Sequence, residues 1–183
     1  GRELVISDRL SAQMAYMQVL YRHDKDLVNA LKSMTLSYAG SKVSSKGRIG
    51  SGTRIRHATT IRNVYIGSYA TISGAVLLEE GTIDSCPEAP CHIGEGVIAT
   101  HFILLSGSSI TGGANLEKCF VGQGVRIGKQ FSAENSAFFA NCEGTLSEAC
   151  SLFAGPYTVS HHKSTLLIAG MFSFYNAGSG SNQ

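Results

Sequence analysis

The stretch Ile49-Gly50-Ser51-Gly52-Thr53-Arg54-Ile55-Arg56-His57-Ala58-Thr59-Thr60-Ile61-Arg62-Asn63-Val64-Tyr65-Ile66-Gly67 decides the fold. Its aliphatic residues fall six apart at Ile49, Ile55 and Ile61, five apart at Ile66, and six apart again at Ile72 and Leu78. Gly or a polar residue follows each: Gly50, Arg56, Arg62, Gly67, Ser73 and Glu79. Four positions after most of them stands a small or β-branched residue: Thr53, Thr59, Ala70, Val76 and Thr82. A six-residue period fits neither the α-helix nor the two-residue alternation of an ordinary strand. It fits a solenoid in which each hexad supplies a short strand and its turn, and three hexads close a triangular coil. The aliphatic side chains then point into the prism and stack from coil to coil. Gly tolerates the positive φ of the tight turns.

Outward from this stretch the pattern resumes at Ile93-Gly94-Glu95-Gly96-Val97, at Val121-Gly122-Gln123-Gly124-Val125 and at Ile127-Gly128. Leu146 and Leu152 read as later, degenerate members. Upstream the period is helical: Leu10, Met14, Met17 and Tyr21, then Leu27, Leu31 and Met34. Two helices or one kinked helix follow, with Asp24 as N-cap of the second stretch and Gly40 as its stop. The expected organisation is an N-terminal helical cap or extension over 1–45, a β-helix over 46–176, and a Gly/Ser-rich end over 177–183. The absence of an initiating Met and the polar Gly178–Gln183 end suggest a piece of a longer protein, with Gly1 a cloning remnant.

Composition agrees with a tightly wound β architecture. The 183 residues are 43% hydrophobic and 15% charged, with 21 Gly. The charge share is well under the usual quarter, which argues against disorder. A net charge of +2 points to no dominant polyanion partner. No run of 18 apolar residues exists, so no membrane span is expected. The five cysteines, Cys86, Cys91, Cys119, Cys142 and Cys150, are an odd number and form no disulfide framework. Free thiols in a reducing cytoplasm are the expectation. Cys86 and Cys91 bracket a Pro-containing loop and could alternatively pair or bind a metal.

The hexads resemble the hexapeptide-repeat superfamily of trimeric left-handed β-helix acyltransferases, well over 46–132 and loosely over 133–175. Parallel crossovers are nearly always right-handed, so the left-handed expectation comes from this resemblance and not from the period. The whole chain, especially His161-His162-Lys163-Ser164-Thr165 through Gln183, also resembles an uncharacterised family of long bacterial proteins that are acyltransferase-like by fold alone. The implied fold class is mainly β, a single-stranded left-handed parallel β-helix with an N-terminal helical segment. The implied activity is transfer of an acetyl or acyl group from a coenzyme A-type thioester to an amine or hydroxyl of a sugar or sugar nucleotide. The thioester is a co-substrate, no cofactor is permanently bound, and the active groove lies between subunits of a homotrimer.

In such enzymes a histidine takes the acceptor's proton as the acceptor attacks the thioester carbonyl, which needs an imidazole that is neutral near pH 7. His23 falls in the helical region, His57 within a hexad and His92 just before one. His162, then His161, then His101 are therefore the candidate bases. In an extended segment one of the adjacent pair faces inward and the other outward. The segment Tyr157 to Thr165 is similar to a substrate loop of the glucosamine-1-phosphate acetyltransferase domain. On that similarity Lys163 holds a phosphate and Tyr157 a sugar, with Thr165 beside them, although the Asn-Tyr-Asp-Gly core of that loop is missing. Asn141 and Asn176 are further polar candidates, or turn and ladder residues.

Residues 41–70 carry Lys42, Lys46, Arg48, Arg54, Arg56 and Arg62 with no acidic residue. Arg54, Arg56 and Arg62 are candidate anion ligands, for a coenzyme or sugar phosphate. The alternative is a solvated face with local ion pairs. No aromatic stacking pattern accompanies the charges, so nucleic acid is not an expected partner. Two other functions share the solenoid. One is a trimerising scaffold without chemistry. The other is a zinc hydrase of the γ-carbonic-anhydrase kind, whose closely spaced histidine pair is missing because His161 and His162 are adjacent. No metal ligands are assigned.

Overall fold

The computed structural model describes residues 4–167, 170–171 and 175–177. The chain divides into two units, Gly1–Lys46 and Gly47–Gln183.

The first unit holds two helices, Ala12–Leu20 and Lys25–Lys42. Ser11 and Asp24 cap them, each side-chain oxygen accepting a backbone N–H three residues on, from Met14 at 3.2 Å and from Leu27 at 3.0 Å. Such caps satisfy N–H groups that have no carbonyl partner within the first turn. The expected break at Asp24 is therefore present. The expected stop at Gly40 is not, because the helix continues through it to Lys42. A glycine ends a helix when it adopts the left-handed conformation, and Gly40 is not among the residues with positive φ. Among the described residues, no helix is long and apolar enough to cross a membrane.

The second unit is a parallel β-solenoid of about 7 turns. One face is an eight-stranded sheet from Arg54–Arg56 through Thr71–Ser73, His92–Ile93, Ser109–Ile110, Arg126–Gly128, Glu143–Thr145 and Thr158–Ser160 to Tyr175–Ala177. The other two faces join in a 12-stranded sheet, because Thr60–Ile66, Leu77–Ile83 and Ile98–Leu104 run unbroken round the corner between them. Partners in successive coils mostly stand 17 residues apart, as in Arg54 with Thr71 or Arg126 with Glu143, and 16 apart in the coil that joins Glu143 to Val159. The step widens to 21 between Thr71 and His92, where the loop carrying Cys86 and Cys91 is inserted.

A 17-residue coil contains two six-residue steps and one of five. The short step from Ile61 to Ile66 is therefore not an irregularity. It returns as Leu78 to Ile83, Ala99 to Leu104, Leu116 to Val121 and Ala133 to Phe138, always at the second-to-third corner. Each such corner turns on one left-handed residue: Asn63, Glu80, His101, Lys118, Asn135 and Ser151, with φ between 50° and 55°. A non-glycine residue pays about 1–3 kcal/mol for that conformation. Its amide in turn bonds to the preceding coil, as Lys118 N–H to Thr100 O at 2.9 Å and Asn135 N–H to Glu117 O at 3.0 Å. The corner is thus an extension of the hydrogen-bond ladder.

Of the expected aliphatic residues, Ile66, Ile72, Leu78, Ile93, Val121 and Ile127 are buried in the prism, where Ile83, Leu104, Ile110 and Leu116 join them. Ile61 is half-buried, and Ile49 and Ile55, in the first coil, are exposed. The smaller inward residues form two further columns, Ala70, Cys91 and Val125 ahead of the first-face strands and Ala75, Val97 and Ala114 after them. Of the residues expected to be small or β-branched there, Ala70 is buried as expected, whereas Val76 and Thr59 are exposed. The corner consumes a variable number of residues, so a fixed offset of four fails at some corners. Leu146 is a left-handed corner residue with φ 52°, exposed rather than interior, while Leu152 is buried. Two glycines make room for phenylalanines of neighbouring coils. A Cβ on Gly144 would lie 2.7 Å from the Phe131 ring, and one on Gly81 would overlap the ring of Phe102.

Candidate functional site

The strand Thr158–Ser160 ends the run of eight-stranded-sheet strands whose side chains are described, and the His161-His162 pair follows it directly. Ser160 is buried and points into the prism, so the next residue, His161, points out. The strand stops there, and His162 adopts the left-handed corner conformation with φ 65° and is exposed. Neither histidine faces inward, because alternation ends where extended backbone ends.

His161 Nε2 lies 3.2 Å from Glu143 Oε2 across the neighbouring strand. A carboxylate only accepts, so Nε2 is the donor, and in the neutral ring Nδ1 keeps its lone pair. Glu143 in turn lies 3.5 Å from Arg126 Nη1, one coil further along the same face. Arg126, Glu143 and His161 thus form a polar row across three coils of this face. The His161 side chain is 43% exposed and that of Glu143 is 36% exposed.

Below this row the prism interior is polar. Ser160 Oγ donates to Ser147 Oγ at 3.0 Å, and Ser147 Oγ stands 2.6 Å from the carbonyl of His162 and 2.9 Å from that of Thr145. Ser164 Oγ lies 3.4 Å from Ser147 Oγ and 3.4 Å from the carbonyl of His161. Glu143, Arg126 and these serines were not singled out by sequence reasoning. The available signal was a hexad position filled by Gly144 and Ser160, where preceding coils carry isoleucine.

The other candidates scatter. Tyr157 and Asn141 are stacked left-handed residues, with φ 62° and 59°, at the corner where the His161 face begins. Asn141 stacks on Gly124 as a ladder residue, with its Oδ1 2.5 Å from where a Cβ on Gly124 would lie. Asn176 is in register with Val159 on that face. Lys163 is exposed beyond the opposite edge, and Thr165 pairs with Glu148 on the next face. Lys163 and Thr165 line a shallow open depression with Gln130, Leu146 and Glu148. His101 sits at a different corner, in the column between Glu80 and Lys118. His57, within a hexad in the sequence, is likewise a corner residue with φ 52°, and His92, just before one, begins a strand.

Arg54 and Arg56 share the His161 face but lie six strands away. At about 4.8 Å per strand this is roughly 30 Å, too far to serve the same small molecule on one chain. Arg62 is paired with Glu79, and Asn63 donates to Glu80 at 2.7 Å. That part of the basic stretch is a solvated face with local ion pairs.

All five cysteines are free thiols. Burial pushes the Cys91 thiol up, that of Cys142 up to about 11 and that of Cys119 up to about 12. Ser85 Oγ accepts the Cys91 amide at 2.9 Å and closes the inserted loop at its base. Among the described residues, no group of three His, Cys, Asp or Glu side chains is arranged to hold a metal ion.

The fold and this row of side chains define a mainly β, parallel-solenoid protein with a histidine–carboxylate pair on one flat face. The chain belongs to the family described as Domain of unknown function (DUF4954), which matches residues 1–183. No curated protein and no solved structure matches the chain.

Proposed function

We propose that the chain is an acyltransferase of the left-handed, hexapeptide-repeat kind, with His161 as general base and Glu143 as the group that orients it. The observation that carries this reading is the 3.2 Å contact between His161 Nε2 and Glu143 Oε2. It frees Nδ1 to accept a proton and places a negative charge where the imidazolium forms. The acceptor's O–H or N–H proton passes to Nδ1 as its oxygen or nitrogen bonds to the thioester carbonyl carbon. The tetrahedral oxyanion then collapses, the C–S bond breaks, and the imidazolium returns the proton to the departing thiolate. Coenzyme A thioesters and sugar or sugar-nucleotide acceptors are the substrate classes. Lys163 and Tyr157 at the two edges of the face are suited to phosphate and sugar contacts.

A flat face does not exclude water. The reading therefore includes a second copy that walls the site, within a homotrimer. Arg54 and Arg56 of a neighbouring subunit can then contribute to anion binding that they cannot provide in their own.

The test is thiol release from acetyl-coenzyme A with a panel of amino sugars and nucleotide sugars, alongside mass measurement in solution. His161→Ala is expected to lower turnover by about 10²–10⁴-fold, while His162→Ala stays near the unaltered protein. A strict monomer, or a panel without turnover, overturns the reading and leaves a scaffold as the better account.

A further inference from the structure

The prism interior changes character directly beneath the His161-His162 turn. On the first face the inward position runs Ile72, Ile93, Ile110 and Ile127, then Gly144 and Ser160. In the column that leads into the second face it runs Ala75, Val97, Ala114 and Phe131, then Ser147 and Ser164. Three buried hydroxyls meet where the other coils pack hydrocarbon. Packing does not require them, since Ala75 and Ala114 fill the Ser147 position elsewhere.

Each hydroxyl has one proton to donate, and backbone carbonyls only accept. The distances order the three protons. Ser160 donates to Ser147 at 3.0 Å, Ser147 donates to the His162 carbonyl at 2.6 Å, and Ser164 faces the His161 carbonyl at 3.4 Å. Among the non-glycine left-handed corners of the described residues, His162 is the one whose carbonyl accepts from buried hydroxyls. The pinned turn is the one that ends the strand after Ser160 and so sets the direction of His161.

We propose that Ser147 is a positioning residue: by donating to the His162 carbonyl it fixes the corner that holds the His161 ring against Glu143. This rests on the reading of His161 as the base, and it concerns atoms that never touch substrate. A turn held only by its backbone ladder, as at His57 or His101, would let the imidazole leave the carboxylate, and its proton would no longer be confined to Nε2.

Long-range ¹⁵N correlation spectra of the imidazoles in the full chain report which nitrogen carries the proton. In the unaltered chain His161 is expected as the Nε2–H tautomer. Ser147→Ala should convert it to the mixed pattern that Glu143→Gln also gives. Ser147→Thr, which retains the hydroxyl, should preserve it. Ser160→Ala removes only the hydroxyl behind Ser147 and should give a partial shift. It guards against misfolding, because Ala149 and Ala154 already fill the matching inward positions on the other two faces. With the acetyl transfer assay running, Ser147→Ala should lower kcat by about 10–100-fold, the range known for losing outer-shell partners of metal-bound histidines, with KM little changed.

A Ser147→Ala chain that keeps the unaltered tautomer pattern overturns the proposal. A tautomer shift in a chain that turns over no coenzyme A thioester supports the positioning role while the acyl-transfer reading falls.

Discussion

Phe102→Ala is expected to lower the stability of the solenoid by about 3–5 kcal/mol, the usual cost of removing a fully buried phenylalanine. The Phe102 side chain is 1% exposed and its ring occupies the space above Gly81 in the preceding coil. The alanine leaves a cavity between two backbones held at fixed spacing by the ladder, so the site cannot collapse. The same geometry predicts the reciprocal variant. Gly81 does not need glycine for its φ, because it is not among the positive-φ residues. It needs the space. Gly81→Ala is therefore expected to cost about 1–3 kcal/mol through overpacking. The two changes should not add, since with Phe102 shortened the new methyl group partly fills the cavity. Urea unfolding followed by circular dichroism, on both single variants and the double, measures the coupling. Additive losses would mean that ring and glycine are not steric partners.

How much of this was legible in the sequence differs by level. The hexads from Ile49 to Ile127 carry the solenoid because a stacked interior repeats its chemistry at every coil. The single five-residue step at Ile66 was visible, but its cause was not. Only the pairing register makes it the regular short side of a 17-residue coil. Where the interior is filled by unlike partners the pattern fades. Phe102 over Gly81 and Phe131 over Gly144 satisfy packing jointly, so neither member reads as aliphatic at its own position. Leu146 misled for the opposite reason. It is apolar but sits on a corner, where backbone conformation rather than burial decides what is tolerated.

The histidine pair shows the limit at the site. The pair was readable as lying in the loosely matching part of the helix, beyond the regular hexads, but the choice between His161 and His162 was not. That choice depends on where the strand stops and on Glu143, 18 residues away in sequence and one strand away in space. The serines beneath were individually unremarkable. They acquire meaning when the register brings Ser147, Ser160 and Ser164 to one point.

The buried thiols make the second large prediction, and its sign follows from burial. Desolvation disfavours the thiolate, so Cys142 is held up to about 11 and Cys119 up to about 12, against an ordinary 9.0. Below pH 9 both states keep these protons and the contribution to stability is full and constant. Between pH 9 and 11 the unfolded chain releases both protons while the native chain retains them. Rising pH then pulls the equilibrium toward unfolding by about 1.4 kcal/mol per pH unit for each thiol. Replacing Cys119 and Cys142 by alanine should flatten the alkaline limb of a urea-midpoint profile by about twice that slope, and leave its shape near pH 7 unchanged. An unaltered slope would mean that water reaches these thiols in the folded chain. The same burial predicts a kinetic signature in Ellman's reaction near pH 8, where the reagent needs an accessible thiolate. Cys86 and Cys150, both only half-buried, should react at once, and Cys91, Cys119 and Cys142 only as the coils open. Reaction of all five at one rate in the folded chain would contradict the closed interior that every hexad in the sequence implies.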